Sequence, residues 1–155
     1  MVPGPSAGEK VEASEELTDE LLERLLGSAT PEAYLSGVNP ESRTLSDYLA
    51  QLLDAHGVTK SAAIRASGVN PTFCYQVFQG TRNPSRDYVL MIALGIGCTL
   101  AEAQRLLRFA GCNELWCKVR RDAIVIFCLE HGYDREHCDD ELWRLGEKTL
   151  LSRDA

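Results

Sequence analysis

The sequence predicts an all-α protein, a compact bundle of about eight short helices. Three observations predict it. Apolar residues recur at three- and four-residue spacing from Leu17 to Leu145, the mark of one-sided helices. No stretch alternates apolar and polar residues as a half-buried strand does. Helix punctuation returns throughout: Ser, Thr, Asn or Asp before an apolar run, glycine after it.

Residues 1–16 are rich in Pro, Gly, Ser and Glu, offer almost nothing to bury, and are expected to be disordered. Leu17, Leu21, Leu22, Leu25 and Leu26 lie a turn apart, with Thr18 as a possible cap. Thr30-Pro31-Glu32 opens a second short helix, and Gly37 to Ser42 is a loop. Thr44 and Asp47 have capping-box spacing and start a helix to His56, closed by Gly57. Thr59 or Lys60 starts the next, which ends at Ser67-Gly68. Asn70-Pro71 starts another, ending at Gly80, and Ser85 caps one through Leu94. Thr99-Leu100-Ala101-Glu102 is a full capping box for a helix closed by Gly111. Cys112 to Lys118 reads as a connector. Val119 to Glu130 is apolar on nearly all sides, so it is expected to be the most buried helix. Asp134 caps a last helix carrying Cys138, Leu142 and Leu145, and the chain frays after Leu151.

A chain of 155 residues can bury a core without disulfide or metal staples. Its 45% hydrophobic and 25% charged content is that of an ordinary soluble domain. The longest apolar run, Ala123 to Leu129, is about a third of the roughly 20 residues that span a bilayer. Met1 to Gly8 lacks the basic and apolar regions of a signal peptide. A cytoplasmic location, no membrane partner and six reduced cysteines are therefore expected. The net charge of −7 speaks against a basic nucleic-acid coat and against binding to an anionic membrane. It is unevenly spread. Residues 1–47 hold ten acids and three bases, and residues 112–155 hold ten acids and seven bases. Residues 48–111 hold three acids and six bases, net +3, the one basic stretch in an acidic chain.

That stretch carries the informative motif. A short helix (Ser61 to Ser67), a Gly68-Val69 turn and a second short helix (Pro71 to Gln79) have the layout of a helix-turn-helix. Gly68 supplies the left-handed residue that the turn needs. Small Ala62, Ala63 and Ala66 would let the two helices approach closely. Cys74 and Val77 fall inward, and Phe73 and Phe78 are expected to pack rather than stack on bases. Thr72, Tyr75, Gln76 and Gln79 fall outward. Glutamine can pair bidentately with adenine, and Thr and Tyr donate to phosphates. For Arg82 and Arg86, a phosphate contact and a local role, capping or pairing with Asp87, are both open.

The run from Gly57 to Leu107 resembles a Cro/repressor-type (XRE-family) helix-turn-helix domain. The resemblance rests on Val58-Thr59, Gly68-Val69-Asn70, Gly80, Arg82-x-Pro84 and Leu90 to Gly97, and covers about 60 of the 155 residues. The flanking segments look like those of small bacterial regulators. The resemblance implies a helix-turn-helix domain at 44–111, an N-terminal helical extension at 17–43 and a C-terminal one at 112–155. It implies that Lys60 touches a phosphate, that Pro71, Thr72, Tyr75, Gln76 and Gln79 lie in or beside the major groove, and that Thr81 and Arg82 lie near the backbone. The partner would be double-stranded DNA, read by a homodimer. Two departures stand out: Phe78 where an acid is common, and Pro71 where a polar residue is common.

These departures keep a second function open, a protein-interaction module (antitoxin-like or adaptor) on the same fold, with partners docking on the N- or C-terminal helices. An enzyme has no constellation behind it, and no catalytic residue or cofactor is expected. Cys112, Cys117, Cys128, His131, His137 and Cys138 include zinc-ligand types, but their spacing is poor, and no metal site is expected in the chain. Lys118, Arg120 and Arg121 could touch DNA flanks or merely solubilise the connector.

Overall fold

Caps set the helix boundaries. In the computed structural model, residues 19–37 and 44–152 are described. The expected tail at 1–16, the Thr18 cap, most of the Gly37 to Ser42 loop and the last three residues lie outside them. The described residues are helical with no strand. The chain divides into two units, residues 1–43 and residues 44–155.

In the first unit, residues 19–26 form α1 and Pro31–Gly37 form α2. Thr30 Oγ1 accepts the Ala33 N–H at 3.1 Å, so the cap-plus-proline signal starts α2 as expected. Leu22, Leu25, Leu26 and Leu35 are exposed.

The second unit holds α3 (Leu45–His56), α4 (Lys60–Ser67), α5 (Pro71–Gln79), α6 (Arg86–Ile96), α7 (Leu100–Phe109), α8 (Arg120–Glu130) and α9 (Arg135–Arg144). Thr44 and Asp47 form a complete capping box, and so do Thr99 and Glu102. Thr59, Asn70, Ser85 and Asp134 each accept a backbone N–H from the first turn they precede.

The core corrects one expectation. The most buried helix is α6, not α8. Val89 through Leu94 and Ile96 are all buried, because α6 runs between α4, α7, α3 and α9. By contrast, α8 packs mainly on α9 and α7. It buries Val125, Cys128 and Leu129 and leaves Phe127 half exposed. An all-round apolar sequence is compatible with either position, and only the number of neighbours decides. Close approach also occurs elsewhere than the alanines suggest: α4 meets α6 at Gly95, where a Cβ would lie 2.8 Å from the Ala63 carbonyl oxygen.

One polar side chain fastens the turn between α4 and α5. Ser67 is fully buried; its hydroxyl donates to the Ile64 carbonyl at 2.6 Å and accepts the Val69 N–H at 3.1 Å. Ser67→Ala leaves the buried Val69 N–H without a partner, and urea unfolding should show a loss of about 1–3 kcal/mol. Gly68 lies in the left-handed region at φ 75°, with the Arg135 guanidinium of α9 over it. Beyond α7, the connector is clamped by Gln104, whose amide donates to the Leu115 carbonyl at 2.8 Å and accepts the Leu115 N–H at 2.7 Å.

Candidate nucleic-acid interface

The face of α5 follows from which residues the core takes. Asn70 Oδ1 accepts the Phe73 N–H at 3.2 Å, and Pro71 fills the first helical position, where no N–H is needed. Cys74, Val77 and Phe78 are buried, and the Phe73 ring packs against Tyr88 at 5.4 Å. Both phenylalanines thus pack within the protein, as expected. Pro71, Thr72, Tyr75 and Gln79 remain exposed and Gln76 half-buried. Their spacing places them on one stripe of the helix.

The loop after α5 is strapped onto that stripe. Thr81 donates to the Gln76 carbonyl through its hydroxyl (3.2 Å) and its N–H (3.0 Å). Arg82 Nε donates to Gln76 Oε1 at 3.3 Å. Gln76, Thr81 and Arg82 are therefore brought together. The Gln76 amide keeps its NH2 and one acceptor lone pair, enough for an adenine edge. Gln79, Thr81 and Arg82 also line a cleft of about 500 Å3 with Thr44, Ser46 and Asn83. Sequence reasoning missed these last three. Thr44 and Ser46 lie more than 30 positions before Arg82, and the Thr44 signal was absorbed by its role as a cap. Lys60 stands apart, exposed on the first turn of α4.

Ion pairing decides which positive charges are available. Arg86 is not free for phosphate, and it does not pair with its neighbour Asp87. It forks onto Asp122 of α8 at 3.0 and 2.9 Å and donates to the Asn113 and Glu114 carbonyls. Asp87 is held instead by a fork from Arg121 at 2.8 and 3.1 Å. The two Arg-Asp dipeptides, 86–87 and 121–122, thus cross-pair. Burial alone would push the Asp122 carboxyl up, but the Arg86 fork, the Trp116 N–H and the charges of Arg86 and Arg121 outweigh it and hold it below its ordinary value. Arg108 pairs with Glu114, and Arg105 is buried with its guanidinium 5.9 Å from the Tyr48 ring centre. Of the six bases in residues 48–111, Lys60, Arg65 and Arg82 remain exposed and form no ion pair among the described residues. In the connector cluster, Arg121 is taken by Asp87, Arg120 reaches the Leu145 carbonyl and Glu147, and Lys118 lies over the Trp116 ring.

The C-terminal Cys/His set is dispersed. Cys128 and Cys138 are buried, and Cys117 is exposed. His131 stacks on Phe127 at 3.8 Å and His137 on Tyr133 at 3.7 Å. Among the described residues, no helix is long and apolar enough to cross a membrane. No protein-family model, curated protein or solved structure matches the chain.

Proposed function

We propose that the chain is a DNA-binding transcriptional regulator of the Cro/repressor helix-turn-helix type, cytoplasmic, non-enzymatic and acting as a homodimer. One observation carries the reading: Thr72, Tyr75, Gln76 and Gln79 form an outward polar stripe on a short helix that follows a glycine turn. This stripe lies in the one basic stretch of the chain. In this mechanism α5 lies in the major groove, where Gln76 and Gln79 read base edges. Lys60, Thr81 and Arg82 position it on phosphates, and Pro71 fixes the start of the helix at the groove wall. A homodimer doubles a reading that one module makes over only a few base pairs.

Fluorescence anisotropy with duplex DNA over a salt series tests this. Three exposed cations predict a log–log salt slope of roughly −2 to −3 per protomer, doubled in a dimer. Gln76→Ala should weaken specific binding by about 1–3 kcal/mol and leave non-specific binding nearly unchanged. Arg82→Ala should weaken both and reduce the slope by about 1. No binding at low salt rules the reading out.

A second reading, a protein-interaction module, is favoured by the exposed Leu22, Leu25 and Leu26 of α1 and by an apolar groove of about 400 Å3 between α8 and α9, edged by half-exposed Phe127. Exposed apolar patches of this kind mark docking sites. A chain that ignores duplex DNA at low salt would be assigned to this class.

A further inference from the structure

Three metal-ligating side chains converge at the C-terminal end of α3. His56 ends α3, Cys98 lies in the α6–α7 turn, and Glu102 lies in the first turn of α7. One donor atom from each lies within 4.8 Å of the other two. The imidazole Nε2 is 2.8 Å from Glu102 Oε1, which also accepts the Thr99 N–H at 2.8 Å. Glu102 is fully buried, and its second oxygen, Oε2, has no hydrogen-bond partner among the described residues. A capping box needs only one carboxylate oxygen. Leaving the other buried and unpaired costs about 1–3 kcal/mol, so the position calls for a ligand. Cys98 is 4% exposed, while the His56 side chain is 17% exposed and opens the cluster to solvent.

We propose that His56, Cys98 and Glu102 form a binding site for a divalent transition cation of the zinc class, with water as the fourth ligand. One nitrogen, one sulfur and one oxygen are the three donor types zinc accepts in tetrahedral sites. Sulfur and nitrogen exclude the hard cations calcium and magnesium. Charge favours the same ion: a thiolate, a carboxylate and a neutral imidazole around a dication sum to zero, which suits a buried position. Two tetrahedral ligands at about 2.0–2.1 Å from zinc lie roughly 3.3 Å apart, so binding replaces the 2.8 Å hydrogen bond after a small outward shift of His56. The bound ion would tie the end of α3 to the start of α7. Since α3 packs on both α5 and α7, it would stiffen the support of α5.

Cobalt titration of the full chain, stripped with chelator, tests the site. One equivalent should produce a thiolate-to-cobalt charge-transfer band with tetrahedral visible bands, displaced by zinc. Zinc, and not magnesium, should raise the thermal midpoint. Cys98→Ser and His56→Gln should each abolish the band, weakening affinity beyond the roughly 10–100-fold seen when an outer-shell partner is lost. The Cys112→Ser and Cys117→Ser variants should retain it. If Cys98→Ser does not fold, His56→Gln, at a partly exposed helix end, carries the test with circular dichroism confirming its fold. Absence of a band in the wild-type chain overturns the proposal. So does a band that survives His56→Gln, or one lost only with Cys112 or Cys117.

Discussion

Gly95→Ala is expected to destabilise the chain by about 2–3 kcal/mol, although alanine is the better helix former. In an isolated helix the exchange would gain up to about 1 kcal/mol. Here the new methyl would sit 2.8 Å from the Ala63 carbonyl oxygen and 2.8 Å from the Ser67 nitrogen, both backbone atoms of α4. Backbone cannot rotate away as a side chain does, so α4 and α6 must separate. Overpacking a dense core costs about 1–3 kcal/mol, and more where backbone moves. Separation would also disturb Ser67, which fastens the turn into α5. Urea unfolding should show the loss, with a thermal midpoint lower by roughly 10 °C. A midpoint equal to or above wild type would mean that the two helices are not in contact through this glycine.

Arg86→Ala is expected to cost about 2–3 kcal/mol. Breaking a buried ion pair leaves one charge uncompensated, at a cost of about 3–5 kcal/mol. The lower figure applies because the Arg86 side chain is 28% exposed and Asp122 keeps its bond from the Trp116 N–H at 3.1 Å. Arg86 also holds the Asn113 and Glu114 carbonyls, so its loss frees the connector that leads into α8. The Asp122 carboxyl is held below its ordinary value of 3.8. A carboxyl depressed in the folded state contributes stability that is full above the unfolded value and fades as pH falls through the folded one. Wild-type stability should therefore decline below about pH 4, while Asp122→Asn, weaker at neutral pH, should show a flatter acid limb. Identical acid limbs in the two proteins would remove Asp122 from the linkage. A double-mutant cycle of Arg86→Ala with Asp122→Asn should give a coupling of about 0.5–3 kcal/mol.

Much of the architecture was legible because the signals are local. A cap, a box or a proline at the first helical position acts within one turn, so Thr44, Thr59, Asn70, Ser85, Thr99 and Asp134 mark real helix starts. The inward placement of Cys74 and Val77 follows from helical period alone. The polar stripe on α5 was legible for the same reason. The cleft that adds Thr44, Ser46 and Asn83 to it was not, since it joins residues from two distant parts of the chain. The charge of residues 48–111 was legible only as a sum. Which cations are exposed depends on partners such as Asp122 and Glu114, which lie outside that stretch.

The sequence by itself determined the all-helical character of the described residues, the starts of α2 to α7 and α9, and the outward side chains of α5, because periodicity and capping act over three or four residues. Tertiary structure alone decided that α6 and not α8 is the central helix, that α4 backbone leaves no room for a Cβ at Gly95, and that the two Arg-Asp dipeptides exchange partners. It also decided that His56 meets Cys98 and Glu102 across more than 40 positions. Each of these depends on which distant surfaces meet, and no local pattern records that.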